Sequence, residues 1–355
     1  MWGCAFTFYI QCLYIFSGHA IITIAIQCRD DNNQDVDWFA VYKIPKMTHE
    51  NHLIKDGLAY TYVTSENYSQ WTLSQYSVND SRSMIGNTLN PFYSEKKNLS
   101  YVLYNDQPPN EPSKPYKGHT KGVILADVDG GLWLVHSVPH FLPLSSKYEY
   151  SPTGTVKGQS FLCISLDLKN LNKVGIQLQY NEPQIYASYI EEILDTKLSH
   201  IVDAVSGTVV TKPPWYNEIT INSKSGVQFI SFAKTKQFGK DLYHDWIAPA
   251  LHTDLFVETW LNGVGELPSN CSNSVSVWNV NIVGLPVTDV SFRNTEDHSK
   301  WAVSVLGPWT CIGDINRMNH QKFRGGGSVC LNNQKLAKIY LGCVEAFQKC
   351  ISNFL

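Results

Sequence analysis

The sequence predicts a mixed α/β protein with two similar, pseudo-symmetric lobes in one chain, each a β-sheet flanked by helices. Three observations carry this. The chain has 355 residues, 43% of them hydrophobic, which is enough apolar material for more than one unit. Its 10 Trp and 19 Tyr suit packed strands and argue against disorder. One order of elements also occurs twice: strand, helix, strand, then a His-x-Lys triplet that opens an apolar run, a turn, and a strand bearing Trp.

In chain order, residues 1–20 carry no charged side chain, and Gly18 and Ala20 occupy the −3 and −1 places of a cleavage point. A secretory signal peptide is expected there, with a retained anchor as the alternative because apolar character runs on to Ile26. The first lobe is expected over 21–200. The β-formers Val36–Tyr42 predict a strand, Ser83–Tyr93 a short helix, and Tyr101–Tyr104 a second strand. His119-Thr120-Lys121 then leads into Gly122–Leu125, a turn at Asp129-Gly130-Gly131, and the strand Leu132–Val135. Tyr180–Asn222, with Pro213-Pro214, is the expected crossover. The second lobe, over 201–355, repeats the plan. Val227–Phe232 is a strand, Gly239–Trp260 a longer helix and Ser276–Val283 a strand. His298-Ser299-Lys300 follows, running into Trp301–Val305, a Gly307-Pro308 turn and Trp309–Ile312. No stretch after residue 26 is apolar enough to span a bilayer.

Four Asn-x-Ser sequons, at Asn67, Asn79, Asn98 and Asn270, fit a glycosylated secretory product. Seven cysteines lie beyond residue 20, which in an oxidising compartment reads as three disulfides and one thiol. No Cys-x-x-Cys pair offers a zinc site. A net charge of −3 at pH 7 is unfavourable for a nucleic-acid binder. Ten of the 11 histidines lie beyond residue 20, however, and protonating all ten takes −3 to +7. Such a chain attracts phosphate in acid and loses that attraction at neutrality, unless its histidines are buried neutral.

His-x-Lys alone is a weak signal, since about 0.7 such triplets arise by chance at this composition. A third copy, His320-Gln321-Lys322, leads into the glycine-rich Arg324–Gly327 and reads as loop. The first two open strands, where residues two apart face the same way, so each His and Lys can address one phosphate. Cleaving a phosphodiester without metal needs a nucleophile, an acid for the leaving alkoxide and cations on the phosphate oxygens. His119 and His298 supply the first two and Lys121 and Lys300 the third. The chemistry needs no cofactor.

The stretches VDWFAVYKIP, GHTKGVILADVDGGLWLVHSVPHF, EDHSKWAVS, GPWTCIGDINR and RGGGSVC resemble the deoxyribonuclease II family, within the phospholipase D-like superfamily, over essentially the mature chain. ELPSNCS and NRMNHQKFRGGG lean toward its beta branch. The resemblance implies two phospholipase D-like lobes, an acid endodeoxyribonuclease acting without metal, 3′-phosphate products, and DNA as partner with little base specificity. It implies a lysosomal or secreted location and leaves a homodimer open.

It further implies that His119 and Lys121 pair with His298 and Lys300, with His119 the nucleophile by analogy. The superfamily's Gly-Ser-x-Asn is matched in part by Gly313-Asp314-Ile315-Asn316, so Asn316 would hydrogen-bond the phosphate or orient a catalytic group. Asp314 either orients a histidine or caps the turn. In the first half the same place reads His136-Ser137-Val138-Pro139, which keeps Ser137 and lacks the Asn. His136 is either a site residue or a satisfied core histidine. The implied disulfides are Cys28–Cys163, Cys271–Cys350 and Cys311–Cys330, leaving Cys343 free. Two other readings compete: a lipid phosphodiesterase of the same superfamily, and a catalytically silent secreted glycoprotein that binds nucleic acid.

Overall fold

The structure, a computed structural model, describes residues 25–94, 97–272 and 274–350. The signal peptide expected over 1–20 lies outside them. The first sheet contains β1 (Trp38–Lys43), β2 (Tyr60–Thr64), β3 (Thr72–Leu73), β4 (Ser100–Asn105), β5 (Lys121–Asp127), β6 (Gly130–His136), β7 (Gln159–Leu166) and β8 (Ile185–Tyr189), in the spatial order β8-β4-β5-β6-β7-β1-β2-β3. The second contains β9 (Tyr216–Asn222), β10 (Gln228–Lys234), β11 (Leu255–Glu258), β12 (Val277–Leu285), β13 (Val290–Arg293), β14 (Trp301–Ser304), β15 (Trp309–Gly313) and β16 (Gly326–Asn332). Its order is β9-β10-β16-β15-β14-β11-β12-β13, with β17 (Val344–Phe347) also paired to β12.

The central strands are apolar on both faces because both faces are covered. Along β1, Trp38, Ala40 and Tyr42 enter one core while Phe39 and Val41 enter another. The first of these cores is shared between lobes. Ile124 and Trp133 of the first sheet, Trp301 and Val329 of the second, and the helices α2 (Leu168–Asn181) and α4 (Gln334–Leu341) all contribute to it. The outer face of the first sheet packs on α1 (Met84–Tyr93), whose first turn Ser83 caps by accepting from the Gly86 amide at 3.0 Å. The outer face of the second packs on Tyr243, Trp246 and Ile247.

The two sheets repeat one another strand by strand. The neighbour of the His-x-Lys strand is β4 in one and β11 in the other; then follow β5 and β14, β6 and β15, β7 and β16, and finally β1 and β10. A helix follows both β7 and β16. The 180–222 stretch carries the chain across by way of β8 at the edge of the first sheet, α3 (Ser199–Val205), and β9 at the edge of the second.

One expected element is corrected. Instead of a long helix over 239–260, a π-type turn (Tyr243–Ile247) and a single α-turn (Ala248–Ala250) lead to β11. Pro249 has no amide to donate, and His252 turns the chain at φ 50°. Leu-Phe-Val then pairs with β14 and buries completely, so tertiary pairing overrides the helical pattern.

Cys28–Cys163, Cys271–Cys350 and Cys311–Cys330 are bonded, and Cys343 is a buried thiol. The first bond anchors the segment before β1 to β7, and the third joins directly opposed residues of β15 and β16. Asn67, Asn79 and Asn98 are exposed, while Asn270 is half-buried and accepts from the Ser272 hydroxyl at 2.7 Å. No helix among the described residues is long and apolar enough to cross a membrane.

Candidate active site

Both His-x-Lys triplets lie where the lobes meet, and each is fastened to the other lobe in the same way. The His119 amide donates to the Gly325 carbonyl at 2.8 Å, and the His298 amide donates to the Gly158 carbonyl at 2.9 Å. Gly325 precedes β16 and Gly158 precedes β7, so the two bonds are related by the internal repeat. The middle residues each donate to a carboxylate: Thr120 reaches across the lobes to Asp314 at 2.8 Å, while Ser299 donates within its own loop to Asp297 at 2.6 Å, where Tyr42 of the first lobe also donates. The Arg324–Gly327 run allows this close approach. A Cβ on Gly325 would come within 2.3 Å of the Asn181 carbonyl, and Gly326 adopts φ +147° against the His119 carbonyl.

A second matched pair lies behind these loops. The buried ammonium of Lys43, at the end of β1, donates to the carbonyls of Thr155 and Lys157 at 2.5 and 2.6 Å. That of Lys234, at the end of β10, donates to Gln321 and Lys322 at 3.0 and 3.2 Å and also to Arg324. Each lysine therefore ties down the loop whose next glycine holds the opposite lobe's histidine. Burial pushes Lys43 well below the usual lysine range and Lys234 down to about 7.

His119, Lys121, His136, Ser137, Lys300 and Asp314 line one cavity between the lobes. The ring of His119 donates from Nδ1 to the Asp314 carbonyl at 2.6 Å, since a carbonyl can only accept, which leaves the Nε2 lone pair free. Lys121 is paired with Asp106, which also meets Arg324 at 3.1 Å. Burial would raise Asp106, but Lys121, His119 and Arg324 outweigh it and hold the carboxyl well below its usual range. Lys300 has no carboxylate partner among the described residues and donates to the His298 carbonyl at 2.5 Å. Burial and the neighbouring Lys121 push it down to about 7.

His298 packs on Trp260, with ring centroids 4.4 Å apart, and its Nε2 has no hydrogen-bond partner. The protein around it, with Lys300 and Lys121, pushes its imidazole down to about 3. His119, half-buried, is held well below its usual value by the surrounding protein despite Asp106, with Lys121, Arg324 and Lys300 adding to the effect. Lys121 thus acts on His298 and Lys300 on His119, so the two triplets share one electrostatic environment. Among the described residues no group of three or more His, Cys, Asp or Glu is arranged to hold a metal ion.

The family profile for deoxyribonuclease II matches residues 27–350. The chain belongs to the deoxyribonuclease II family. It is 39% identical to deoxyribonuclease-2-alpha of Sus scrofa over 331 residues, covering 92% of this chain and 91% of that one. It is 36% identical to deoxyribonuclease-2-beta of Homo sapiens, covering 92% of each chain. Plancitoxin-1 of Acanthaster planci is 40% identical, covering 92% of this chain and 93% of its own. Both branches of the deoxyribonuclease II family are represented, and identity does not favour the beta branch.

The remaining residues singled out in this deoxyribonuclease II chain fall into two groups. Asn316 accepts from the Trp260 amide at 3.2 Å and keeps its own side-chain N–H groups unpaired beside His119. Asp314 reaches His119 through its backbone carbonyl, while its buried carboxyl is pushed up to about 7. Ser137, by contrast, is spent on Gln159 and the Ser160 amide, at 2.6 and 2.9 Å. His136 accepts from the Val138 amide at 3.2 Å and packs against Phe141 and Phe161, with its Nε2 unpartnered at the cavity.

Sequence reasoning passed over Asp106, Lys43, Lys234 and Trp260. Asp106 could have been found from pairing, since Asn105 lies opposite Lys121. The two lysines end apolar strands and resemble ordinary edge charges in the sequence.

Proposed function

We propose that this chain is an acid endodeoxyribonuclease that hydrolyses DNA phosphodiesters without a metal ion and leaves 3′-phosphate and 5′-hydroxyl ends. The observation that carries this is the crosswise fastening of two His-x-Lys triplets where the lobes meet. It brings them close enough that Lys300 lowers His119 and Lys121 lowers His298, with His119, Lys121 and Lys300 lining one cavity.

His119 is the nucleophile. The Asp314 carbonyl fixes its tautomer, so Nε2 attacks phosphorus and a N–P bond forms as the P–O5′ bond breaks. His298, as imidazolium, gives its proton to the departing O5′. Neutral again, it takes a proton from water, whose oxygen displaces His119 from phosphorus and releases the 3′-phosphate. Lys121, Lys300 and the Asn316 amide hold the non-bridging oxygens throughout.

Burial, with the neighbouring lysines adding to it, holds both histidines below their ordinary values. The bound phosphate supplies the negative charge that lets His298 protonate, and acid pH helps. Three disulfides and three exposed sequons support a lysosomal or secreted setting.

Plasmid nicking at pH 5 in excess EDTA tests the proposal. Wild-type protein nicks, and His298→Ala loses about a thousandfold in rate. A requirement for added magnesium, or an active variant, would contradict it.

A further inference from the structure

The third His-x-Lys triplet does not join the catalytic centre, yet it is not remote from it. Residues Asn319–Phe323 form one 3-10 turn, and His320 stands exposed on the wall of a cavity of about 220 Å³ that opens beside His119 and Asn316. Gln107 and Ser113 from the first lobe and Asn262 from the second line the same cavity. Among the described residues, none of the four side chains of Gln107, Ser113, Asn262 and His320 has a hydrogen-bond partner. Uncommitted polar groups are ordinary on an open surface. Here four of them, from both lobes, line one hollow together with Trp260. The nearest cation, Arg324, is already engaged by Asp106 and the Lys117 carbonyl.

The geometry points to this cavity as a nucleoside subsite, taking the base and sugar next to the scissile phosphate. This rests on the proposed nuclease reading. Two amides, a hydroxyl and an imidazole match the mixed donors and acceptors of a base edge and a sugar, and an indole offers a stacking partner. A second phosphate would call for free cations. An acyl chain would call for apolar walls, and among the lining residues only Trp260 and Met318 are apolar. The volume lies below the roughly 300–1,000 Å³ of sites for drug-sized ligands, which suits one nucleoside and not a strand. The subsite therefore favours DNA over a lipid as the diester cut at the neighbouring centre, and its small set of adaptable groups agrees with weak base preference.

The test uses calorimetric binding at pH 5 of thymidine 3′,5′-bisphosphate and of inorganic phosphate, to wild type, Asn262→Ala and His320→Ala. Wild type should bind the nucleotide more tightly than phosphate. Each variant should lose about tenfold toward the nucleotide, the worth of one or two net hydrogen bonds, and nothing toward phosphate. Equal affinity of wild type for the two ligands, or variants that keep wild-type affinity for the nucleotide, would overturn the inference. So would variants that weaken both ligands alike. Failure of the nuclease reading would show elsewhere, as a wild type that binds the nucleotide and nicks no plasmid.

Discussion

At the scale of single residues, each group's part follows from which atom it presents. Asp314 is the clearest case, because its carbonyl orients His119 while its carboxyl is buried and pushed up to about 7. At pH 5 that carboxyl is protonated and neutral, so Asp314→Asn changes little about the charge or the backbone contact. The variant should nick plasmid at pH 5 within about threefold of wild type, far from the loss at a histidine that exchanges protons. A loss of a hundredfold or more would assign the role to the side chain instead. The sequence exposed the two triplets and Asn316, because a repeated His-x-Lys ahead of an apolar strand and the Gly-x-x-Asn turn are local patterns. The expected placing on the strands is corrected, since His119 and the whole 298–300 triplet precede β5 and β14. It left His136 and Asp314 undecided, because burial between Phe141 and Phe161, or a carbonyl pointing across a lobe boundary, has no local signature.

At the scale of elements, the loops that precede β7 and β16 set the spacing between the half-sites, and each is held by one buried lysine. Replacing Lys234 with Met removes the donor to three carbonyls and frees the loop that ends at Gly325. Lys234→Met should lower kcat on plasmid by about tenfold or more, since small displacements of reacting groups are costly. It should also lower stability by about 1–3 kcal/mol through the unpaired carbonyls. Thermal melts and steady-state kinetics on one preparation read both effects, and an unchanged kcat would remove the loop from the account. Strands such as β1 and β5 were legible because dense β-formers leave little alternative. The 239–260 stretch was not, because its helical spacing ignores Pro249 and the pairing of β11 with β14.

At the scale of the whole molecule, buried titratable groups set how stability follows pH, and they pull in opposite directions. His119, His136 and His298 are held below their ordinary values, so the unfolded chain binds more protons. Their contribution is full above about pH 6.5 and is lost as pH falls below it, for His298 toward about 3. Glu258, Asp297 and Asp314 are raised by burial, so the folded chain binds more protons. Their contribution is present in acid and is lost as pH rises through the window above their ordinary values.

Both carboxyl oxygens of Glu258 are buried without a partner. Glu258→Gln should therefore raise the melting temperature at pH 7.5 by a few degrees and leave it nearly unchanged at pH 4. Differential scanning calorimetry at the two pH values checks this. A larger gain at pH 4 would reverse the assigned sign. Such buried acids lie in Leu-Phe-Val-Glu and Glu-Asp-His contexts that read as ordinary strand ends, so the balance becomes visible only when the two lobes are together.

The central claim is that one histidine from each lobe serves one phosphate, with His119 forming the bond to phosphorus. The most direct measurement is an alkaline quench of a single turnover with 5′-end-labelled and internally labelled DNA, followed by denaturing electrophoresis and peptide mapping of protein-bound phosphate. The expected result is DNA attached through its 3′-phosphate to the peptide that contains His119, and no such adduct in His119→Ala. Phosphate carried by a residue outside the two triplets would contradict it, as would a turnover that passes through no adduct in wild type.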